Sequence, residues 1–86
     1  MQVQAETLGA VVNRLKRAQG QLAGVLQMLE EGRDCAEVVT QLAAVSRALD
    51  KAGFAIIASG LEQCIRAGED GELDREKLEK VFLSLA

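Results

Sequence analysis

The chain contains no histidine, proline, tryptophan or tyrosine, and its only aromatic residues are two phenylalanines. Without histidine there is no imidazole for acid–base catalysis, and two cysteines alone fall short of the four ligands of a tetrahedral zinc site. Without proline, no residue forces a break inside a helix. No apolar run approaches the roughly 18 residues of a membrane span, and no basic-then-apolar leader opens the sequence. We therefore expect a cytoplasmic protein with no membrane partner.

Motifs of catalytic sites are also missing. The sequence has no Cys-x-x-Cys pair and no glycine-rich phosphate loop, and it has no strand pattern on which a nucleophile elbow would stand. We predict that the protein is not an enzyme and holds no cofactor. The net charge of −3 argues weakly against a nucleic-acid partner. The acidic surplus lies after residue 53, however, and the densest basic cluster is the segment 13–17.

The pattern that is present predicts three helices and an all-α fold in one domain, residues 1–86. Helix one is expected from Glu6 to Glu31, with apolar residues in a strict heptad: Leu8, Val11, Leu15, Ala18, Leu22, Val25 and Leu29. Asp34 and Glu37 form the pattern of a capping box that begins helix two, which should end near residue 67. A polar turn follows, and helix three is expected to begin near Asp74.

The two long helices are too long for a compact protomer of this size. At 1.5 Å per residue, helix one would measure about 39 Å and helix two about 50 Å. A compact domain of this length has a radius of gyration of about 12 Å. The apolar stripes must therefore be covered by other copies of the chain, which predicts a symmetric helical oligomer.

The two cysteines, Cys35 and Cys64, lie 29 residues apart on helix two. This spacing places both thiols on one face but about 43 Å apart along the axis, whereas a disulfide needs Cα atoms within about 7 Å. They can meet only between chains, if two copies of the helix pack antiparallel. Because cytoplasmic thiols stay reduced, such a pair is better suited to a switch than to a structural link.

Cys35 follows the predicted N-cap, where the helix dipole and free amide groups favour a thiolate, so it is the candidate attacking thiol and Cys64 the resolving one. The nearby Arg33 supports this assignment, and the acidic Asp34 and Glu37 oppose it. Two other interpretations remain open: each cysteine is a small buried hydrophobe, or the pair binds Cu(I) in two-coordinate form.

Basic residues form two groups, one on each long helix: Arg14, Lys16 and Arg17 on helix one, and Arg47 and Lys51 on helix two. Either group is compatible with an ordinary solvated helix face, and Arg47 or Lys51 could pair with Asp50. Composition alone does not predict DNA binding.

Three segments, 14–24, 28–35 and 39–45, resemble the copper-sensing repressor (CsoR) family, and the similarity includes the cysteine spacing. The resemblance implies a three-helix protomer, an antiparallel helical-bundle dimer and a dimer-of-dimers homotetramer. It also implies a transcriptional repressor that releases double-stranded operator DNA when a ligand acts on the helix-two cysteine. The family's DNA-contacting residues correspond to Arg14 and Lys51, with Lys16, Arg17 and Arg47 as further candidates by proximity.

The sequence departs from the metal-sensing members of that family at two positions. They carry histidine one turn before the second cysteine, where this chain has Gly60, and the copper sensors tend to have tyrosine where it has Asp34. Two cysteines without histidine resemble the persulfide-sensing CsoR-like sulfurtransferase repressor (CstR) branch. That likeness implies no metal site, persulfide or polysulfide donors as inducers, and an intersubunit di-, tri- or tetrasulfide between Cys35 and Cys64. A Cu(I)-responsive repressor with a two-cysteine site is the alternative.

Overall fold

A computed structural model describes residues 1–85, and every regular element in that part of the chain is helical. Helix α1 spans Ala5–Glu30 and helix α2 spans Cys35–Ala67. A short 3₁₀ turn, Gly68–Gly71, leads into helix α3, Glu72–Leu85. The predicted all-α class is confirmed, and α1 and α3 begin one and two residues earlier than predicted. No helix over residues 1–85 is both long and apolar enough to cross a membrane.

The connection between α1 and α2 is fixed by backbone hydrogen bonds around Gly32. This glycine has a φ of +70°, and the amides of Gly32 and Arg33 donate to the carbonyls of Leu29 and Met28 at 3.2 and 2.9 Å. This is the Schellman arrangement, in which a left-handed residue lets the chain turn back after a helix. The turn places the start of α2 directly beside the end of α1.

Asp34 caps α2 as predicted, because its carboxylate accepts from the Ala36 amide at 3.0 Å. The other half of the predicted capping box is wrong. Glu37 does not turn back to the cap, and its carboxylate instead lies 2.9 Å from a guanidinium nitrogen of Arg33. A charge-assisted bond to a guanidinium is stronger than a bond to a neutral amide, which explains the preference.

The helix-one heptad splits into two rows with different environments. Its smaller residues, Val11, Ala18 and Val25, are buried inside the protomer and face the hairpin partner α2, whose buried residues include Val38, Val45 and Ala52. Its leucines remain between 39% and 59% exposed, and we call them the leucine row: Leu8, Leu15, Leu22 and Leu29. Of the single apolar stripe predicted from sequence, only the row of small residues is therefore buried within the protomer.

Helix α3 packs against α2, and a tilted pair of rings, Phe54 and Phe82, joins the two with centroids 5.6 Å apart. The molecule measures 54 × 24 × 13 Å, and its radius of gyration is 16.5 Å. A compact domain of this length would have a radius of gyration of about 12 Å. The protomer is therefore an elongated slab, as the predicted helix lengths required.

Candidate functional site

Cys35 is the first residue of α2, and it is exposed. The nearby Arg33 guanidinium is already engaged, since its nitrogens lie 2.9 Å from Glu37 and 3.7 Å from Glu31. Its positive charge is therefore shared with two carboxylates and is not dedicated to the thiol. What distinguishes Cys35 from Cys64 in the protomer is that Cys35 is exposed to solvent.

Cys64 is 4% exposed and lies near the other end of α2. Its Sγ is 3.9 Å from the Met1 Sδ, so the N-terminal residue covers it from one side. The 3₁₀ turn packs against the Cys64 backbone, because a Cβ at Gly71 would lie only 2.5 Å from the Cys64 carbonyl oxygen. The interpretation of a cysteine as a small buried hydrophobe thus fits Cys64 in the protomer and does not fit Cys35.

The two thiols are free, and α2 between them is one unbroken helix. At 1.5 Å per residue their separation is about 43 Å, far beyond the reach of a disulfide. The structure keeps the two sulfurs of one chain apart. It leaves open the contact between chains that the sequence predicts.

A larger side chain at Gly60, one turn before Cys64, would require the ends of the Leu78 and Met1 side chains to shift. A Cβ built on Gly60 would lie 2.8 Å from the Leu78 Cδ1 and 3.1 Å from the Met1 Cε. Within residues 1–85, no group of three or more histidine, cysteine, aspartate or glutamate side chains is placed to hold a metal ion. A protomer on its own therefore lacks a chelating set built from these residue types.

Three of the five predicted DNA-binding residues line a groove between α1 and α2. This groove of about 230 Å³, which we call the basic groove, is lined by Arg14, Arg17, Gln21, Ala44, Ala48 and Lys51. The structure thus brings together three of the five basic residues singled out from the sequence. The other two, Lys16 and Arg47, are exposed outside the lining. No ion pair within residues 1–85 includes any of these five cations, so their charges are not internally neutralised.

Gln21 is a groove residue that the sequence analysis did not identify. Its Oε1 is buried and finds no hydrogen-bond donor within residues 1–85. The signal was present in the helical spacing, since Arg14, Arg17 and Gln21 follow one another at three and four residues and share a face of α1. A polar residue on a face shared with two arginines was overlooked because it carries no charge.

The family profile and two of the known proteins that this chain resembles are described as transcriptional repressors. A family profile described as "Metal-sensitive transcriptional repressor" matches residues 8–85. The copper-sensing transcriptional repressor CsoR of Mycobacterium ulcerans is 41% identical over 58 residues, which span 67% of this chain and 50% of that protein. The copper-sensing transcriptional repressor RicR of Mycobacterium tuberculosis is 37% identical over 67 residues, 70% of each chain.

Two further matches cover most of the relative as well. The uncharacterized protein YrkD of Bacillus subtilis is 43% identical over 58 residues, 67% of this chain and 92% of YrkD. Among solved structures, the nickel-responsive transcriptional regulator InrS superposes with a TM-score of 0.78 at 31% identity. That superposition covers 100% of this chain and 98% of InrS, so the fold extends over the whole length of both.

Proposed function

Because the chain belongs to the CsoR family of metal-sensitive transcriptional repressors, we propose that it senses persulfides and polysulfides and releases operator DNA when Cys35 of one protomer becomes linked to Cys64 of another. The observation that carries this proposal is the pair of free thiols separated by one unbroken helix. Any covalent bond between the two positions must join two chains. As members of a repressor family, such chains bind DNA and are not enzymes.

This chain would need further ligands to bind a metal as its metal-sensing relatives do. Copper and nickel appear in the names of CsoR, RicR and InrS and describe those proteins. Here Gly60 supplies no ligand one turn before Cys64, and the ends of the Leu78 and Met1 side chains lie beside it. Two thiolates suit sulfur transfer, which needs one accessible nucleophile and one partner thiol.

The sulfur chemistry balances without an external oxidant. The Cys35 thiolate attacks the sulfane sulfur of a persulfide, which leaves a persulfide on Cys35 and expels the donor as a thiolate. The Cys64 thiolate of another protomer then attacks the inner sulfur, forming a disulfide and releasing hydrosulfide. If Cys64 has itself accepted one sulfane sulfur, the same displacement of hydrosulfide gives a trisulfide, and a further sulfur gives a tetrasulfide. The donor supplies the oxidising equivalents in each case.

In this proposal the sulfur link changes the DNA-binding surface by shifting α1 and α2 relative to each other. A bond at Cys35 pulls the N-terminal end of α2 toward a neighbouring protomer, and a bond at Cys64 requires Met1 to move aside. The basic groove takes residues from both α1 and α2, so a shift between these helices changes the spacing of its cations. A coupling free energy of about 1–3 kcal/mol would lower the DNA affinity by roughly 5–150-fold.

We expect the protein to assemble as a homotetramer built from antiparallel dimers. The leucine row and the exposed leucines of α2, Leu42 and Leu49, leave a large apolar surface uncovered in the protomer. Replacing Leu22 with glutamate should place a charge in this surface and shift the protein to smaller oligomers or monomers. The control Lys16→Glu should leave the oligomeric state unchanged. Sedimentation equilibrium at micromolar concentration measures both, and a monomeric wild-type protein would refute the assembly.

A Cu(I)-responsive repressor is the second candidate. It is favoured by the 3.9 Å contact between the Cys64 Sγ and the Met1 Sδ, because thiolate and thioether sulfurs both suit Cu(I). One experiment distinguishes the persulfide-sensing function from the Cu(I)-responsive one. The wild-type protein first selects a duplex from a random-sequence DNA pool, and the complex is then treated with polysulfide or with Cu(I) under anaerobic conditions.

We expect polysulfide to dissociate this selected duplex and Cu(I) to change its affinity by less than about 2-fold. Dithiothreitol should reverse the polysulfide effect, because it reduces the sulfur link. Release of the duplex at one Cu(I) per protomer, together with no response to polysulfide, would establish the copper function instead.

A further inference from the structure

Gln21 is half-buried, and its Oε1 is the unexplained polar atom of the basic groove. Its Oε1 is shielded from water and has no donor within residues 1–85, although three cationic side chains line the same groove. A buried acceptor without a donor destabilises a folded protein, so such groups are rare unless another state of the molecule uses them. When DNA is bound, contacts with phosphates would hold the cationic side chains of the groove in fixed positions.

We propose that Gln21 is a positioning residue for DNA binding, whose Oε1 accepts a hydrogen bond from the Lys51 ammonium while that ammonium contacts a phosphate. The inference rests on the proposed DNA-binding role of the groove. Lys51 fits the geometry because Ala44, Ala48 and Lys51 follow at four and three residues on α2 and line the same groove as Gln21. The ammonium has three N–H donors, so it can bind the amide oxygen and a phosphate oxygen together.

The small side chains of Ala44 and Ala48 leave room for this contact. They add no competing polar group to the groove. Without DNA, Lys51 can extend into solvent, where water satisfies its three donors and Gln21 is left unpaired. A phosphate at the groove would draw the ammonium back over the groove floor. Gln21 then fixes a flexible four-carbon side chain in the position that the phosphate requires.

The decisive variant is Gln21→Leu, which keeps the approximate size of the side chain and removes the buried acceptor. Loss of an unsatisfied buried group should stabilise the free protein, and we expect the unfolding temperature to rise by about 4 °C or more. The same variant should bind the selected duplex about 10-fold more weakly, because the complex then lacks a hydrogen bond to a charged group. A purely structural role predicts that stability and DNA affinity fall together.

A double-mutant cycle identifies the partner of Gln21. In a Lys51→Met background, Gln21→Leu should weaken binding by less than about 2-fold, because its donor is already gone. In an Arg17→Met background, the full effect of about 10-fold should remain. Gln19→Leu, at an exposed position two residues away, serves as the matched control and should leave DNA affinity unchanged.

If Arg14→Ala and Lys51→Ala weaken binding but Gln21→Leu does not, the positioning role is wrong and the groove remains the DNA-binding surface. A fall in unfolding temperature with Gln21→Leu would likewise overturn the positioning role. If Arg14→Ala and Lys51→Ala themselves leave DNA affinity unchanged, the groove has been wrongly assigned, and the proposed function fails at that point.

Discussion

Replacing Cys35 with serine is expected to abolish the response to polysulfide completely while leaving DNA binding intact. The reason is that Cys35 is the exposed thiol, whereas Cys64 is 4% exposed and covered by Met1. A serine hydroxyl is not a useful nucleophile toward sulfane sulfur at neutral pH, so neither modification nor linkage should occur. The selected duplex should stay bound at polysulfide concentrations that fully release it from the wild-type protein, as measured by fluorescence anisotropy.

Cys64→Ser is the matched control for this prediction. This variant should still take up sulfur at Cys35, seen as a gain of whole sulfur atoms in the intact mass, but it should form no link between Cys35 and position 64 and should retain the duplex. Modification without release would show that linkage, and not persulfide formation alone, changes the DNA affinity. Full polysulfide-dependent release from Cys35→Ser would disprove the assignment of the attacking thiol.

Arg14→Ala and Lys51→Ala should each weaken binding of the selected duplex by about 10-fold or more at low salt. Both side chains line the basic groove from different helices, and no carboxylate within residues 1–85 forms an ion pair with either. The slope of log affinity against log salt should become shallower by about one unit for each phosphate that the variant no longer neutralises. Titrations at several salt concentrations give both quantities.

Lys77→Ala provides a control with the same change in net charge. Lys77 is exposed on α3, away from the groove, and its replacement should leave the salt slope unchanged. Because Arg14 and Lys51 lie on exposed positions, their variants should unfold at the wild-type temperature. Wild-type affinity and salt slope in both variants would show that DNA binds elsewhere on the protein.

The helices were predictable from sequence because local signals agree with the tertiary structure. Asp34 caps α2, and the absence of proline leaves that helix unbroken to its end at Ala67. The resemblance to the CsoR family, and not helical spacing, indicated Arg14 and Lys51, and the structure places both with Arg17 in one groove. The helix assignments follow from capping signals and helical periodicity, which a single sequence displays directly.

What the sequence did not indicate depends on contacts between distant segments. The heptad of α1 did not distinguish the buried Val11, Ala18 and Val25 from the exposed leucines, because the choice depends on how α2 packs beside α1. The cover that Met1 forms over Cys64 joins residues far apart in the chain. The unpaired oxygen of Gln21 became visible only when its surroundings were known.

In the proposed mechanism sulfur links Cys35 of one chain to Cys64 of another, and a mixed-isotope crosslinking experiment decides whether the bond joins two chains. Unlabelled and ¹⁵N-labelled proteins are mixed, unfolded and refolded together, treated with polysulfide, and digested with trypsin without reduction. We expect a dimer-mass species on a denaturing gel. We also expect a linked pair of peptides, 34–47 with 52–66, that includes mixed-label forms and contains two to four sulfur atoms in the link. Linked peptides found only with matching labels, from protein of monomer mass, would place the bond within one chain and contradict the mechanism.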